Sequence, residues 1–529
     1  MTMTALLDGS TLNRPVPRAP LGDLVEQVSA VCHRPRPSIW SRIAVVCTLV
    51  AIGVVHAVNI GGFPRFFDDE GTYVSQAWAV RHGALAPYTY WYDHPPVGWL
   101  QLAPLSWLTD VLVAGPDVLA SRMVMVAYTV VSAFLVYLLA RRIGMRQVFA
   151  VAAMALWGLS PLVVFEGRQV LLDNIALPWI LGAFLLASSS KKSLLHHTMA
   201  GLVFAIGVLT KETFIILAPA LAAAIWFSGY RATRAFALTG FGICTALTGG
   251  FYILFALIRD ELLPGPGHVS LWDALAFQTF ERAGSGFLLD PSSGAHGILR
   301  YWLSIDSVLV IAGVGAALIG LADRRLRPIA LAASLMTALA LRPDGYLPFM
   351  YVIGALPFFA LAIAGVADRI WSRVATRHWA TRVLGAGLLA AAALAVAPGW
   401  ISGNAVALTA DRNSDYDAAL AYVTATLPRD SVVVSDNSFW NDLVSAGWSP
   451  GFGAVWFYKV DLDPAFLVAH PDGWRGVDYI VGSRDDLLPG NPGGKPVFTE
   501  AYENSTVVAS FGAIEVRAVQ DHRVVAGES

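Results

Sequence analysis

Long apolar runs recur along the chain, and they constrain its fold more than any motif does. A helix needs about 20 mostly apolar residues to cross a bilayer. Runs near Ile39–Ile60, Leu119–Ala140, Val148–Phe165, Leu171–Ala187, Thr198–Leu209 and Thr213–Phe227 meet or approach that need. So do those near Ala235–Ile258, Tyr301–Leu321, Pro328–Leu341, Leu347–Ala367 and Val383–Trp400, which makes about eleven predicted spans. Of the 529 residues 56% are hydrophobic and 14% charged, whereas a soluble chain carries roughly 25% charged residues. In water such a chain would leave large apolar patches exposed. Disordered chains are apolar-poor, so disorder is excluded as well. The fold class is a polytopic α-helical membrane protein. A net charge of −2 offers nothing to nucleic acid, and Cys32, Cys47 and Cys244 have neither disulfide nor zinc spacing.

The Lys/Arg bias of the loops orients the chain. Alternate loops are basic: Arg141, Arg142 and Arg146; Lys191 and Lys192; Arg231 and Arg234. Arg324, Arg325 and Arg327 continue the set, followed by Arg369, Arg373, Arg377 and Arg382. An N-terminal tail, residues 1–38, adds Arg14, Arg18, Arg34 and Arg36, and its polar, Pro-containing character does not fit a cleavable leader. With an odd number of spans the alternation holds throughout. It predicts the N-terminus in the cytoplasm and residues 401–529 outside; the Ala-, Val- and Arg-rich usage points by association to a GC-rich bacterium, and so to its cytoplasmic (inner) membrane.

Between the tail and residue 401 lies the transmembrane domain, residues 39–400. Two of its outer segments, 61–117 and 259–300, are long, as functional loops are. The first carries Trp78, Trp91, Trp99 and Trp107 with helical spacing after Asp69, which predicts amphipathic helices at the outer interface. The second holds Pro264-Gly-Pro-Gly-His268, a breaker sequence. Residues 401–529 read as a small α/β domain. Ser414 opens a helix through about Thr426, and strand-like runs follow at Ser431–Ser435, Tyr479–Val481, Thr506–Ser510 and Ala513–Val519.

Charged groups beside a bilayer are costly to keep, so those on the outer face are the candidate site. Asp68, Asp69 and Glu70 form a triple just after the first span, and Asp69 shares a helix face with Tyr73. Helix capping accounts for one or two of these acids but less easily for three. Asp93 and His94 precede Pro95-Pro96, where a helix can start. A plain Pro-stopped turn is the competing explanation. Arg168 and Asp173 lie five residues apart between two apolar runs and can simply pair. Arg168 is also suited to clamp a phosphate in bidentate fashion. Lys211 stands at one outer turn, and Arg342 and Tyr346 at another. Cations and carboxylates on one membrane face suit a lipid-phosphate sugar. The cations stabilise the departing phosphate and a carboxylate takes the proton of an acceptor hydroxyl.

These motifs resemble the C-type (GT-C) membrane glycosyltransferases, nearest in pattern to protein O-mannosyltransferases and the lipid A aminoarabinose transferase. Asp69-Glu70 match the acidic pair of the family's first outer loop. His94-Pro95-Pro96-Val97 resemble its His/Lys-Pro-Pro motif. Arg168 with Leu171-Leu172-Asp173, and Thr210-Lys211, match later motifs, and Tyr346 to Pro357 do so loosely. The resemblance covers about the first 370 residues. It implies a glycosyltransferase taking a sugar, with mannose the family-weighted choice, from a polyprenyl-phosphate donor. The acceptor is a protein, lipid or glycan hydroxyl on the outer face. It implies Asp69 as base, with Asp68 or Glu70 as rivals, because the triple leaves the register open. His94, Arg168, Lys211, Arg342 and Tyr346 are implied at the lipid phosphate, and Tyr73, Asp93 and Asp173 in support. The C-terminal domain has no counterpart in the resemblance and is left for acceptor recognition.

No cofactor is required by this chemistry. A divalent metal is admitted by His94, His268, His296 and the loop acids, although no pair has ligand spacing on one element. Two other functions compete. A transporter or flippase would place ionisable groups near the bilayer midplane, and Asp306 is the chief such residue. A non-catalytic assembly receptor would rely on the C-terminal domain alone.

Overall fold

The computed structural model describes residues 38–112, 115–189, 191–343, 345–487 and 496–520. The N-terminal tail with Arg14, Arg18, Arg34 and Arg36, together with Cys32, lies outside the described residues. Among the described residues six helices are long and apolar enough to cross a membrane, or up to seven if a bent pair counts as one span.

The apolar runs of the sequence fold as helices in order. These are α1 (Ile39–Ala57), then α2 (Asp68–Arg81) and α3 (Val97–Leu112) in the first outer segment, then α4 (Asp117–Arg142). A bent pair follows, α5 (Gln147–Gly158) and α6 (Pro161–Gly167), meeting at 57° where Ser160-Pro161 interrupts the ladder. Then come α7 (Leu172–Ala187), α8 (Leu194–Thr210), α9 (Ala218–Ser228) and α10 (Arg234–Ile258). The second outer segment holds α11 (Leu271–Ala276). It leads to α12 (Gly294–Gly320), α13 (Arg327–Ala340), α14 (Leu356–Val374) and α15 (Trp379–Thr409). Phe251, Leu254, Leu257 and Ile258 on α10 and Leu384, Leu388 and Leu394 on α15 are exposed. Large apolar side chains exposed along whole helices fit a lipid surround rather than water.

Asp306 breaks α12 locally, with φ −150° and ψ 80°. Its carboxylate accepts the Leu309 N–H at 2.9 Å and the Ser160 hydroxyl at 2.6 Å. It thus caps the restarted helix, a structural use of this mid-span acid. The last apolar helix does not stop at Trp400. It passes Pro398 and runs to Thr409, where Ala410 turns extended.

The C-terminal domain begins with α16 (Ser414–Thr426), on the residues read from sequence. A five-stranded sheet follows in the order β2-β1-β3-β5-β4. Its strands are β1 (Val433–Ser435), β2 (Ala454–Trp456), β3 (Tyr479–Ser483), β4 (Ser505–Phe511) and β5 (Ile514–Val519). β2 and β3 flank β1 in parallel, and β3-β5 and β5-β4 are antiparallel. Between β1 and β2 lies α17 (Asn437–Ser445); α18 (Lys459–Leu462) and α19 (Pro464–Ala469) follow β2. Alternate residues serve opposite faces. Val433 and Val481 join Tyr416, Phe439 and Trp440 on one side, and Val434 and Ile480 join Phe457 and Phe498 on the other. β2 escaped the sequence reading because it is a three-residue strand, buried on both faces, just after Gly451-Phe-Gly453.

Of the two helices in the first outer segment, α2 is not an interfacial amphipath. α2 is buried from Glu70 through Ala77, between the helices beneath and the C-terminal domain above. Phe66 meets Tyr416 at 4.9 Å and Trp78 meets Trp440 at 5.4 Å between ring centres. Trp78 and Trp91 are therefore spent on this domain contact, whereas Trp99 is buried in the cluster beneath and Trp107 is exposed. Gly71 permits it, since a Cβ there would fall 2.2 Å from the Asn437 carbonyl. The obstacle is backbone and has little room to yield. We expect Gly71→Ala to cost about 1–3 kcal/mol, as overpacking does. Limited proteolysis should then release the C-terminal domain faster; an unchanged digestion rate and melting point would contradict the close approach.

Candidate active site

Three consecutive acids on a helix point about 100° apart, so they cannot share one target. Phe67 is extended, with φ −120° and ψ 146°, and α2 starts at Asp68. Asp68 turns to the C-terminal domain, where its Oδ1 accepts the Asn437 backbone N–H at 3.1 Å. Glu70 turns inward and is fully buried. Its Oε1 accepts the Phe67 N–H at 3.1 Å and an Arg122 Nη2 hydrogen at 2.6 Å. Its Oε2 accepts from Arg122 Nε at 2.8 Å and from the Val170 N–H at 2.9 Å. Asp69 is left, half-buried, in the field of Lys211, His94 and Arg282. Burial raises its carboxyl above the ordinary aspartate value, and the charges of Lys211 and Arg282 pull it back.

His94 and Lys211 meet directly. Lys211 ends α8 in an extended conformation, φ −147°, so its side chain leaves the helix line. Its Nζ lies 3.2 Å from His94 Nε2, and His94 Nδ1 lies 3.1 Å from Glu212 Oε2. The ammonium can only donate, so His94 accepts at Nε2 and carries its hydrogen at Nδ1 toward Glu212. The turn before His94 is built by Tyr92 at φ 55° and closed by Pro95-Pro96. Gly98 then lets α3 start against its neighbours, for a Cβ there would stand 2.4 Å from Leu172 Cδ2. Asp173, in the first turn of α7 and buried, adds its charge to Lys211. Tyr73, one turn beyond Asp69, is buried with its ring centre 6.2 Å from that of His94. Asp93 accepts the His94 backbone N–H at 3.0 Å.

The second outer segment adds Arg282, which is not among the candidates that the sequence offers. Its guanidinium lies 3.4 Å from the centre of the Tyr346 ring, and its charge reaches Asp69. No local pattern marks Arg282, since Tyr346 and Asp69 come from distant parts of the chain. Glu212, half of the dipeptide Lys211-Glu212, was likewise not singled out.

Two expected members are elsewhere. The Arg168 guanidinium is buried and donates only to backbone carbonyls: Val55, Val58, Asn59, Phe63 and Ala407, at 2.6 to 3.4 Å. It caps the carbonyls at the end of α1, which no helical N–H can reach. With its Nη hydrogens committed there it has none to turn to a phosphate. Nor does it pair with Asp173. Arg342 is exposed and folds its guanidinium over Gly345. Among the described residues no three His, Cys, Asp or Glu side chains gather as metal ligands. His268 lies 3.2 Å from the Leu263 carbonyl and His296 3.1 Å from that of Leu288.

A family model described as dolichyl-phosphate-mannose-protein mannosyltransferase matches residues 93–257, which include Asp93, His94, Asp173 and Lys211. No curated protein matches the chain in sequence. Among solved structures, ArnT from Cupriavidus metallidurans bound to undecaprenyl phosphate aligns over 91% of this chain and 98% of its own. The identity is 15% and the TM-score 0.58. The Archaeoglobus fulgidus oligosaccharyltransferase in the apo form aligns over 93% and 76%, at 14% identity and a TM-score of 0.53. AglB from Archaeoglobus fulgidus, in complex with an inhibitory peptide and a dolichol-phosphate, aligns over 91% and 74%, at 14% identity and 0.52. At 91–93% of this chain the likeness to these structures reaches into the C-terminal domain, beyond the residues that carry the sequence motifs. The chain is an integral membrane protein of the GT-C fold, resembling the protein O-mannosyltransferases and ArnT.

Proposed function

We propose that this protein is a membrane glycosyltransferase. It moves a sugar from a polyprenyl-phosphate donor to an acceptor hydroxyl on the outer face of a bacterial cytoplasmic membrane. The observation that carries the reading is the separation of the acid triple: Asp69 alone is left toward Lys211, His94 and Arg282. In the reaction the acceptor O–H gives its proton to the Asp69 carboxylate. The acceptor oxygen bonds to the anomeric carbon, and the bond from that carbon to the phosphate oxygen breaks. Polyprenyl phosphate leaves with the electron pair, and Lys211 and Arg282 stabilise the charge that develops on it. His94 holds the Lys211 ammonium, Glu212 holds His94, and Tyr346 carries Arg282 on its ring. Displacement in one step inverts the anomeric carbon.

The donor class is supported by the matched family's description and by the lipid phosphates named with ArnT and AglB. Mannose is our choice of sugar on the same ground. The Lys/Arg bias supports the N-terminus inside and the C-terminal domain outside. The test is transfer by the full chain in membrane vesicles, using a panel of polyprenyl-phosphate sugars labelled in the sugar. Label should leave the lipid from one donor, polyprenyl-phosphate mannose first. If no donor in the panel is consumed above the level of vesicles lacking the protein, the proposal fails.

A further inference from the structure

The C-terminal domain holds two of the segments that carry the candidate site, α2 and the turn before His94, and it does so with residues just beyond the carboxyl ends of two neighbouring strands. Just beyond β1, Asn437 donates its backbone N–H to Asp68 and its side-chain amide to the Thr72 hydroxyl at 2.7 Å. Just beyond β2 stands Lys459, with only 4% of its surface exposed. Its Nζ lies 3.9 Å from the centre of the Trp91 ring, with Tyr88, Tyr458 and Trp456 at 5.4, 5.6 and 6.0 Å. Among the described residues no carboxylate lies within 4.0 Å of this ammonium. A buried ammonium is normally paired, and an aromatic cage offsets only part of its lost hydration.

Two carboxylates face it electrostatically, Asp93 from the first outer segment and Asp463 from the turn between α18 and α19. Tyr88 and Tyr458 are the other titratable groups around it. Asp463 is already occupied, for its oxygens accept the N–H groups of Thr89, Ala465 and Phe466 at 3.1 Å each. Asp93 is bound to the backbone N–H of His94. The ammonium therefore closes a path from the C-terminal domain, through Trp91 and Asp93, to the turn that sets His94 against Lys211.

We propose that Lys459 is a positioning residue of the C-terminal domain, holding the Trp91–Asp93 turn and through it the His94–Lys211 pair. The inference rests on the reading of that pair as part of the donor-phosphate site. Burial pushes the Lys459 ammonium down to about 8, with Asp93 and Asp463 opposing the fall. Above that pH the cage loses its cation and Asp93 is left uncompensated beside a site for a phosphate. Both effects weaken phosphate binding.

The experiment titrates the full chain in detergent with undecaprenyl phosphate, for the wild type, Lys459→Arg and Lys459→Met. The titrations run from about pH 7 to about pH 9, where a phosphate monoester has already lost its second proton, of pKa about 6. Wild-type affinity should fall about tenfold across that interval, the scale of one uncompensated charge at partly buried range. Lys459→Arg should stay flat, because a guanidinium keeps its charge and stacks on aromatic faces. Lys459→Met should bind weakly at both ends while melting as the wild type does. Should the Met variant fail to fold, the wild-type and Arg profiles still decide. A flat wild-type profile overturns the inference and leaves the donor reading standing. A wild type that binds no undecaprenyl phosphate at any pH overturns the donor reading and this inference with it.

Discussion

Asp69→Asn should lower sugar transfer by about 10²–10⁴-fold, the usual contribution of a general base. The amide nearly matches the carboxylate in shape, so insertion, melting point and undecaprenyl phosphate binding should hold. The two neighbouring acids supply the contrast. Asp68→Asn weakens a contact to the Asn437 N–H and should cost transfer modestly. Glu70→Gln disturbs a carboxylate bound to Arg122 and should reduce the yield of folded protein before it touches turnover. Near-wild-type transfer by Asp69→Asn, measured beside these two, would remove the base from the mechanism.

Arg122→Ala should be the most damaging substitution to stability. Its guanidinium is fully buried and serves both Glu70 oxygens at 2.6 and 2.8 Å. It also donates to the carbonyls of Ile60 at 3.0 Å, Pro64 at 2.8 Å and Arg65 at 3.1 Å. Its removal strands a buried carboxylate, a loss of about 3–5 kcal/mol. The α1–α2 connection loses its organiser as well. The double variant with Glu70→Ala should melt above the sum of the single losses, because no charge is then left unpaired. Additive losses in a thermal melt of the detergent-solubilised protein would show that the two side chains act separately.

Much of the architecture was legible in the chain. Apolar runs of span length became helices, since a bilayer leaves the backbone no other way to satisfy its polar groups. Ser414–Thr426 formed its helix, and the four strand-like runs each contributed a strand. β2 was not legible, being too short for any periodicity to show. The same local signal misled at α2. Trp78 and its neighbours looked like a membrane belt, whereas they pack under a domain more than 300 residues further along the chain.

The candidate site divides in the same way. Asp69, His94 and Lys211 were marked by their sequence surroundings, and the fold places them together. Arg168 carried an equally good motif, yet its Nη hydrogens are used on the carbonyls that end α1. Arg282 carried no motif and faces Asp69.

What the sequence by itself determined was the material: helices long enough for a bilayer, and a short stock of charged groups in the segments that join them. Which of those charges face one another was decided only by tertiary structure. A side chain's direction depends on its helical phase and on whatever closes over it, and neither is local. One turn of α2 sends Asp68 to the C-terminal domain, Asp69 to the cations and Glu70 to Arg122. Three neighbours with nearly the same chemistry thereby acquire three different surroundings.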